Sequence, residues 1–330
     1  MRPQLRTLAQ LLACLPLVLA GCDPAGSDLG FGAEPTGEVA VVLYLDRDGS
    51  GTATGPDTVF QGARVSLRPQ GGGAAVATAT SDQQGIARFT TLRLGDYLVT
   101  VESASIGDSI LVADIDQDSI RVAAIAPQVG ATVRLAYPEL SIRQARLLPA
   151  GRRVFVRGLV LAGVQLYSDQ SSHMADTSRA VRLTNVALLG GLTGNAAGDS
   201  VVVLGTVGLV NGQTVLSGAR VTRVATRPAP VPKPVTSAVA ASAQNGALDA
   251  DLVLVSSVVV SDSMTVAPHF QVVASDGSGA VTIQLDTNLG IATNGFRIGR
   301  ILNVRGVLVP TGQGSWILKP RGAGDITFLN

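Results

Sequence analysis

The strongest constraint on this chain is a repeat within its second half. Gly198-Asp199-x-Val201-x-Val203-x-Gly205-Thr206-Val207 matches Gly299-Arg300-x-Leu302-x-Val304-x-Gly306-Val307-Leu308, an offset of 101 residues. Asp176-x-Ser178-x-Ala180-Val181 matches Asp276-x-Ser278-x-Ala280-Val281 at an offset of 100. The register barely drifts, so two copies of one domain lie in tandem. Each copy is built from short apolar runs in which alternate residues share a face, the pattern of strands packing on a core.

Composition points the same way. The hydrophobic share is 46%, supplied mainly by Val, Ala and Leu, with 38 glycines and 16 prolines to break the runs. That mixture favours many short strands joined by tight turns. No stretch shows a long, capped helical periodicity. The expected class is all-β: a β-sandwich followed by two tandem OB-like Greek-key barrels. The boundaries read as a signal peptide over 1–21, a flexible tether over 22–37 and the sandwich over 38–138. The first barrel covers 139–225, a Pro-rich linker 226–237 and the second barrel 238–330.

In the first barrel Arg153–Val160 and Val164–Ser168 are expected to pair, followed by strands at Ala180–Leu183, Ser200–Val207 and Thr214–Leu216. Five strands in that order suit an OB-like barrel. Ala145-Arg146-x-Leu148-Pro149-x-Gly151 and Val154-x-Val156-x-Gly158-x-Val160 resemble the OB domains attached to secreted bacterial nucleases. In the second copy Phe270-x-Val272, Ser275-Asp276-Gly277-Ser278-Gly279 and Trp316-x-Leu318-x-Pro320-Arg321-x-x-x-Asp325-Ile326 carry the same resemblance. It implies an accessory module and carries over no catalysis. Between the copies Pro228, Pro230, Pro232 and Pro234 alternate with other residues, which favours an extended spacer of about 3.1 Å per residue.

The first domain begins at Val39–Leu45, a continuous apolar run expected to be buried on both faces. Asp46-x-Asp48-Gly49, Gly62-Ala63-x-Val65-x-Leu67, Thr80-x-Asp82-x-x-Gly85 and Leu94-Gly95-x-Tyr97-x-Val99 resemble the B-type repeats of serine-aspartate surface proteins and the wider prealbumin-like family. The resemblance spans residues 38–102 and implies a structural spacer or stalk, often stiffened by calcium.

The N-terminus constrains location. Arg2 and Arg6 precede an apolar run from Leu8 to Ala20, closed by Leu19-Ala20-Gly21-Cys22. A basic start, a short apolar core and a small-residue exit describe an export signal, too short for a permanent span. The last four residues resemble the lipobox of bacterial lipoproteins, which implies cleavage before Cys22 and lipid on its sulfur. Cys14 leaves with the signal, so Cys22 would be the sole cysteine of the mature chain and no internal disulfide could form. The expected location is the periplasmic or outer face of a bacterial envelope, with the membrane as partner through the lipid.

Candidate sites are few. Asp46, Asp48, Ser50, Thr52 and Asp57, with Gly51 at the sixth position, follow the order of oxygen ligands in a calcium loop. Asp57 stands where that pattern has a bidentate Glu, and the loop joins strands. The same residues also suit a polar hairpin in which Asp and Gly satisfy turn geometry. Asp114, Asp116 and Asp118 would share one strand face and read as an acidic edge that discourages strand pairing. The only histidines, His173 and His269, lack partners at metal-binding spacing.

Net charge is near zero, but residues 22–140 hold 15 acidic against 7 basic side chains, and residues 141–330 hold 9 against 16. Arg153, Arg157, Arg179, Arg182, Arg300, Arg305 and Arg321 are the candidates for contact with a polyanion. Stacking platforms are scarce: the aromatics are few, Phe155, Tyr167, Phe270, Phe296 and Trp316, and several fall at positions that look inward-facing. The leading expectation is a non-catalytic envelope lipoprotein whose stalk carries two OB barrels as an interaction module for a protein or glycan. The alternative is an accessory subunit that binds extracellular nucleic acid or another polyanion.

Overall fold

The computed structural model describes residues 34–126, 128–190 and 193–329. The first domain holds β1 (Thr36–Asp46), β2 (Thr58–Val59), β3 (Arg64–Pro69), β4 (Ala77–Thr80) and β5 (Ile86–Arg93), followed by β6 (Gly95–Val101), β7 (Leu111–Ile115), β8 (Ser119–Val122) and β9 (Gln128–Ala136). One sheet runs β2-β1-β9-β7 with β5 also on β1, and the other runs β4-β3-β6-β8. β1 and β9 pair in parallel from Glu38↔Gln128 to Asp46↔Ala136. Val39, Val41, Leu43 and Leu45 point inward and meet Val65, Leu67, Tyr97 and Val99 of the second sheet. Period-two patterning thus becomes a β-sandwich.

Burial of β1 on both faces holds only at its C-terminal end. Val42 is 37% exposed, whereas Tyr44 and Asp46 are covered. The outer face of the strand is open to solvent until it reaches the 46–57 loop and the next domain. The Leu94-Gly95-x-Tyr97 motif also gains a physical account, since Tyr97 Oη donates to Arg93 O at 2.7 Å and pins the corner into β6.

The second domain opens with α2 (Ile142–Ala145), the first helix α1 (Ser103–Ile106) lying in the sandwich. Its strands are β10 (Arg153–Ala162), β11 (Ser172–Ala175), β12 (Ala180–Thr184), β13 (Ala187–Leu188), β14 (Asp199–Val210) and β15 (Gln213–Thr226). β10 pairs with β11 and β14, β11 with β12, and β14 with β15, all antiparallel; β12 and β15 close the ring in parallel. The third domain repeats this with β17 (Leu252–Val266), β18 (His269–Ser275), β19 (Ala280–Leu285), β20 (Ile301–Pro310) and β21 (Trp316–Lys319), closed by the parallel pair β19–β21. Each is a five-stranded Greek-key barrel of OB topology, and the chain is all-β. β16 (Lys233–Val235) and β22 (Ile326–Phe328) add short edges, and α3 (Ser237–Gly246) precedes the second barrel.

Two local expectations need correction. Val164–Ser168 is loop and turn, and the partner of β10 is β11, because the chain spends residues 163–171 on contacts with the second barrel. The proline-rich stretch is not a free spacer throughout, since Lys233–Val235 pairs in parallel with Val253–Val255.

The repeated glycine has a steric reason. A Cβ at Gly205 would lie 2.7 Å from Leu216 Cβ, and one at Gly306 would lie 2.5 Å from Lys319 O. At these points the fourth and fifth strands of each barrel pass too close for any side chain.

Val201-Val202-Val203-Leu204 shows why some runs are apolar at every position. Val201 and Val203 fill the first barrel with Val154 and Val156. Val202 and Leu204 join Phe155 in the sandwich core cluster. The strands are buried on both sides because a neighbouring domain covers the outer face. The barrels meet through a further cluster, in which Leu161, Tyr167 and Ala180 pack on Ala250, Leu252, Val307 and Val309.

Candidate functional site

The sequence singled out the loop that follows β1. Carboxylate oxygens of Asp46, Asp48 and Asp57 lie within 4.8 Å of one another. Asp46 is held in place by amides, accepting from Gly49 at 2.7 Å and Gly51 at 3.1 Å. Asp57 accepts from the amides of Arg47 and Thr54 at 2.8 and 2.9 Å. Burial opposes ionisation of Asp48, but hydrogen bonds from Ser50 and Thr54 outweigh it and hold the carboxyl below its usual range.

Of the five expected ligands, the structure gathers the three carboxylates. Ser50 and Thr52 are turned to each other, Ser50 Oγ donating to Thr52 O at 2.9 Å. Thr54, which the spacing did not flag, donates to Asp48 at 2.8 Å and sits against Asp57. Arg134 Nη1 stands 3.3 Å from Asp46, so three negative charges face one positive charge. A hard divalent cation suits that charge and the all-oxygen donor set, with the three aspartates and Thr54 as the groups that would hold it. The loop also touches the first barrel. A Cβ on Gly49 would lie 3.0 Å from Val202 Cγ1 and 3.5 Å from Phe155.

The seven candidate arginines do not line a common groove; each has a local partner, although Arg157 engages only its Nε. Arg153 lies over Tyr137, 5.3 Å from its ring centroid, and donates to its hydroxyl. Arg157 pairs with Glu139 at 2.6 Å. Arg179 donates to Ala247 O, across the barrel joint. Arg182 is buried and pairs with Asp169 at 2.8 Å. Arg300 covers the Phe328 ring at 5.1 Å. Arg305 and Arg321 share Asp325, which takes a two-pronged contact from Arg321 at 2.7 and 2.8 Å. Phe155, Tyr167 and Phe296 are buried, so none of these three offers a stacking face.

The densest polar constellation lies at the barrel joint, and local sequence gave no sign of it. Asp249 accepts from Arg146 Nη2 at 2.9 Å, Gln213 Nε2 at 2.8 Å and Trp316 Nε1 at 2.8 Å. Arg146 and Gln213 belong to the first barrel, Asp249 and Trp316 to the second. Nearby, Lys319 Nζ is 3.2 Å from Asp286 and 3.6 Å from Asp169, and lies 4.2 Å from the Tyr167 ring centroid. Asp286 also accepts from Ser168 N and Oγ at 3.0 and 3.1 Å. Asp169 titrates down at about 2: burial opposes this, but Lys319, Ser171 and Arg182 prevail. The buried charges are paired with opposite charges, as their desolvation requires, and Arg182 Nε alone of its guanidinium is buried without a partner among the described residues.

His173 is sealed beside this network, edge-on to Tyr167 with ring centroids 5.9 Å apart. Neither ring nitrogen has a hydrogen-bond partner. Burial, reinforced by Arg182 and Lys319, pushes its pKa down to about 3. His269 Nδ1 stands 3.9 Å from Asp286 and accepts from Thr287 N at 3.4 Å. Asp114, Asp116 and Asp118 do not act as one face: Asp114 lies in β7, while Asp116 accepts the amide of Thr132 at 2.6 Å. Cys22 lies outside the described residues. Among the described residues no helix is long and apolar enough to cross a membrane.

No protein-family model matches the chain, and no curated protein matches it. Among solved structures, the major pilin subunit BcpA of Bacillus cereus is 17% identical over 30% of this chain and 30% of that chain, with a TM-score of 0.23. This chain therefore spans about a third of that pilin. The shaft pilin SpaA of Lactobacillus rhamnosus GG is 12% identical over 57% of this chain and 83% of the other, with a TM-score of 0.21. The HINa domain of Ifi202, solved with double-stranded DNA, is 13% identical over 55% of this chain and 96% of its own, with a TM-score of 0.27. Likeness at this level says nothing about function, and the architecture rests on the pairing of the chain's own strands.

Proposed function

We propose that this protein is a non-catalytic envelope lipoprotein, held to a bacterial membrane through lipid on Cys22. Its β-sandwich, read as a prealbumin-like stalk, carries two OB barrels that present one surface to an envelope protein or glycan. The observation that carries the reading is the way the barrels lock together. Asp249 joins three donors from both barrels, and Lys319 is sandwiched between Asp286, Asp169 and Tyr167. A pair of domains docked so closely suits a rigid display platform better than two independent clamps. The commitment of six of the seven candidate arginines, all but the half-exposed Arg157, to internal partners favours a protein or glycan over a polyanion.

Intact-mass analysis of protein from the native host tests the anchor. The expected product begins at Cys22 and carries acyl chains, and Cys22→Ser releases the protein from the membrane fraction. An unprocessed N-terminus or an unmodified thiol removes the envelope assignment. A gel shift with single-stranded DNA at low salt tests the polyanion alternative, with no retardation expected. Retardation that fades as salt rises would favour the nucleic-acid reading.

A further inference from the structure

We propose that the cleft between the two barrels binds a small aliphatic molecule with a carboxylate head. This goes beyond the display role and does not depend on it. The cleft encloses about 490 Å³ between β10, the strap around Val231 and the start of β17. Small-molecule sites fall at about 300–1,000 Å³ and are mostly apolar with a few placed polar groups. Here Leu159, Leu161 and Leu252 supply the walls. Val231 stands on the strap at 88% exposure, an aliphatic side chain left without cover at the rim.

The polar groups decide the ligand's chemistry. The carboxylates at the rim each have partners. Asp176 takes the amides of Ile142, Ser178 and Arg179, and Asp251 is held by Lys233 at 2.8 Å. Donors are left over. Arg157 spends only its Nε, on Glu139 at 2.6 Å, and its two Nη groups have no partner among the described residues. That pair is half exposed and contributes little, so the guanidinium is free to turn. A cleft with apolar walls, carboxylates already paired to donors of the chain and an unspent two-pronged donor is complementary to a carboxylate on an aliphatic body.

Calorimetric titration of the full chain with octanoate, octanol and octylammonium tests this. Octanoate is expected to bind saturably at one site, octanol about tenfold more weakly, and octylammonium not at all. Arg157→Gln should weaken octanoate about tenfold while leaving the thermal midpoint and circular dichroism unchanged. Ser200→Trp, which fills the cleft from the β14 side, should abolish binding. The proposal fails if octanoate gives no saturable heat at millimolar concentration, or if octylammonium binds as well as octanoate. It also fails if binding survives both substitutions, which would mark detergent-like adsorption. None of these outcomes touches the anchor or the display role, which are read by mass and by fractionation.

Discussion

Trp316 Nε1 donates a 2.8 Å hydrogen bond to Asp249, 67 residues earlier in the chain, and the same carboxylate receives Arg146 and Gln213 from the other barrel. One acceptor therefore ties the closing strand of the second barrel to the helix and hairpin of the first. Asp249→Ala leaves a largely buried guanidinium without its partner, a loss of about 3 kcal/mol. Trp316 is the only tryptophan, so its emission reads the joint directly. The variant should show a red-shifted spectrum and a lower denaturation midpoint. An unshifted spectrum with wild-type stability would mean that the joint does not rest on this carboxylate.

The repeated Asp-x-Ser motif acts as a clamp on the helix before each barrel. Asp176 accepts the amide of Ile142 at 2.7 Å, and Ser178 Oγ accepts that of Arg143. Asp276 and Ser278 do the same for Ser237 and Ala238. The first amides of a helix have no partner within it, so a side chain that accepts them acts as a cap. Asp176→Ala and Asp276→Ala should each cost about 1 kcal/mol. Because the sites are separate, the double variant should lose about the sum of the two in chemical denaturation.

His173 makes stability depend on pH. Its folded pKa of about 3 lies below the ordinary 6.5, so between these values the unfolded chain binds a proton that the folded chain refuses. Stability is complete above the upper value and declines by about 1.4 kcal/mol per pH unit as acid is added below it. His173→Phe keeps a ring against Tyr167 and removes the titration. Denaturant midpoints at pH 7 and pH 5 should fall for the wild type by an amount equivalent to about 2 kcal/mol more than for the variant. Parallel curves would assign the acid sensitivity to other groups.

Calcium should raise the thermal midpoint of the full chain, since a ligand that binds only the folded loop stabilises it. Asp48→Asn should remove that shift. Arg134→Gln should enlarge it, because the guanidinium that competes for Asp46 is gone. Equal shifts in all three proteins would place the ion elsewhere.

Much of the architecture was readable because strands announce themselves locally. Alternation in Val39, Val41, Leu43 and Leu45 marked one face of β1, and the 100-residue offset marked two copies of one barrel. Of the oxygen ligands expected in the 46–57 loop, the three carboxylates converge, while Ser50 Oγ donates to Thr52 O. The arginines could not be judged from sequence. Whether Arg182 faces solvent or Asp169 depends on residues 13 apart in sequence that a loop brings together.

Sequence by itself determined the strand pattern, the duplication and the spacing of Asp46, Asp48 and Asp57. These are properties of neighbours along the chain, where backbone period and turn chemistry act. Only the tertiary structure decided that Val202, Leu204 and Phe155 cover a second domain, and that Asp249, Lys319 and His173 share a sealed joint. Burial and charge pairing arise between residues far apart in the chain, where the low dielectric of a packed interface makes an unmatched polar group costly.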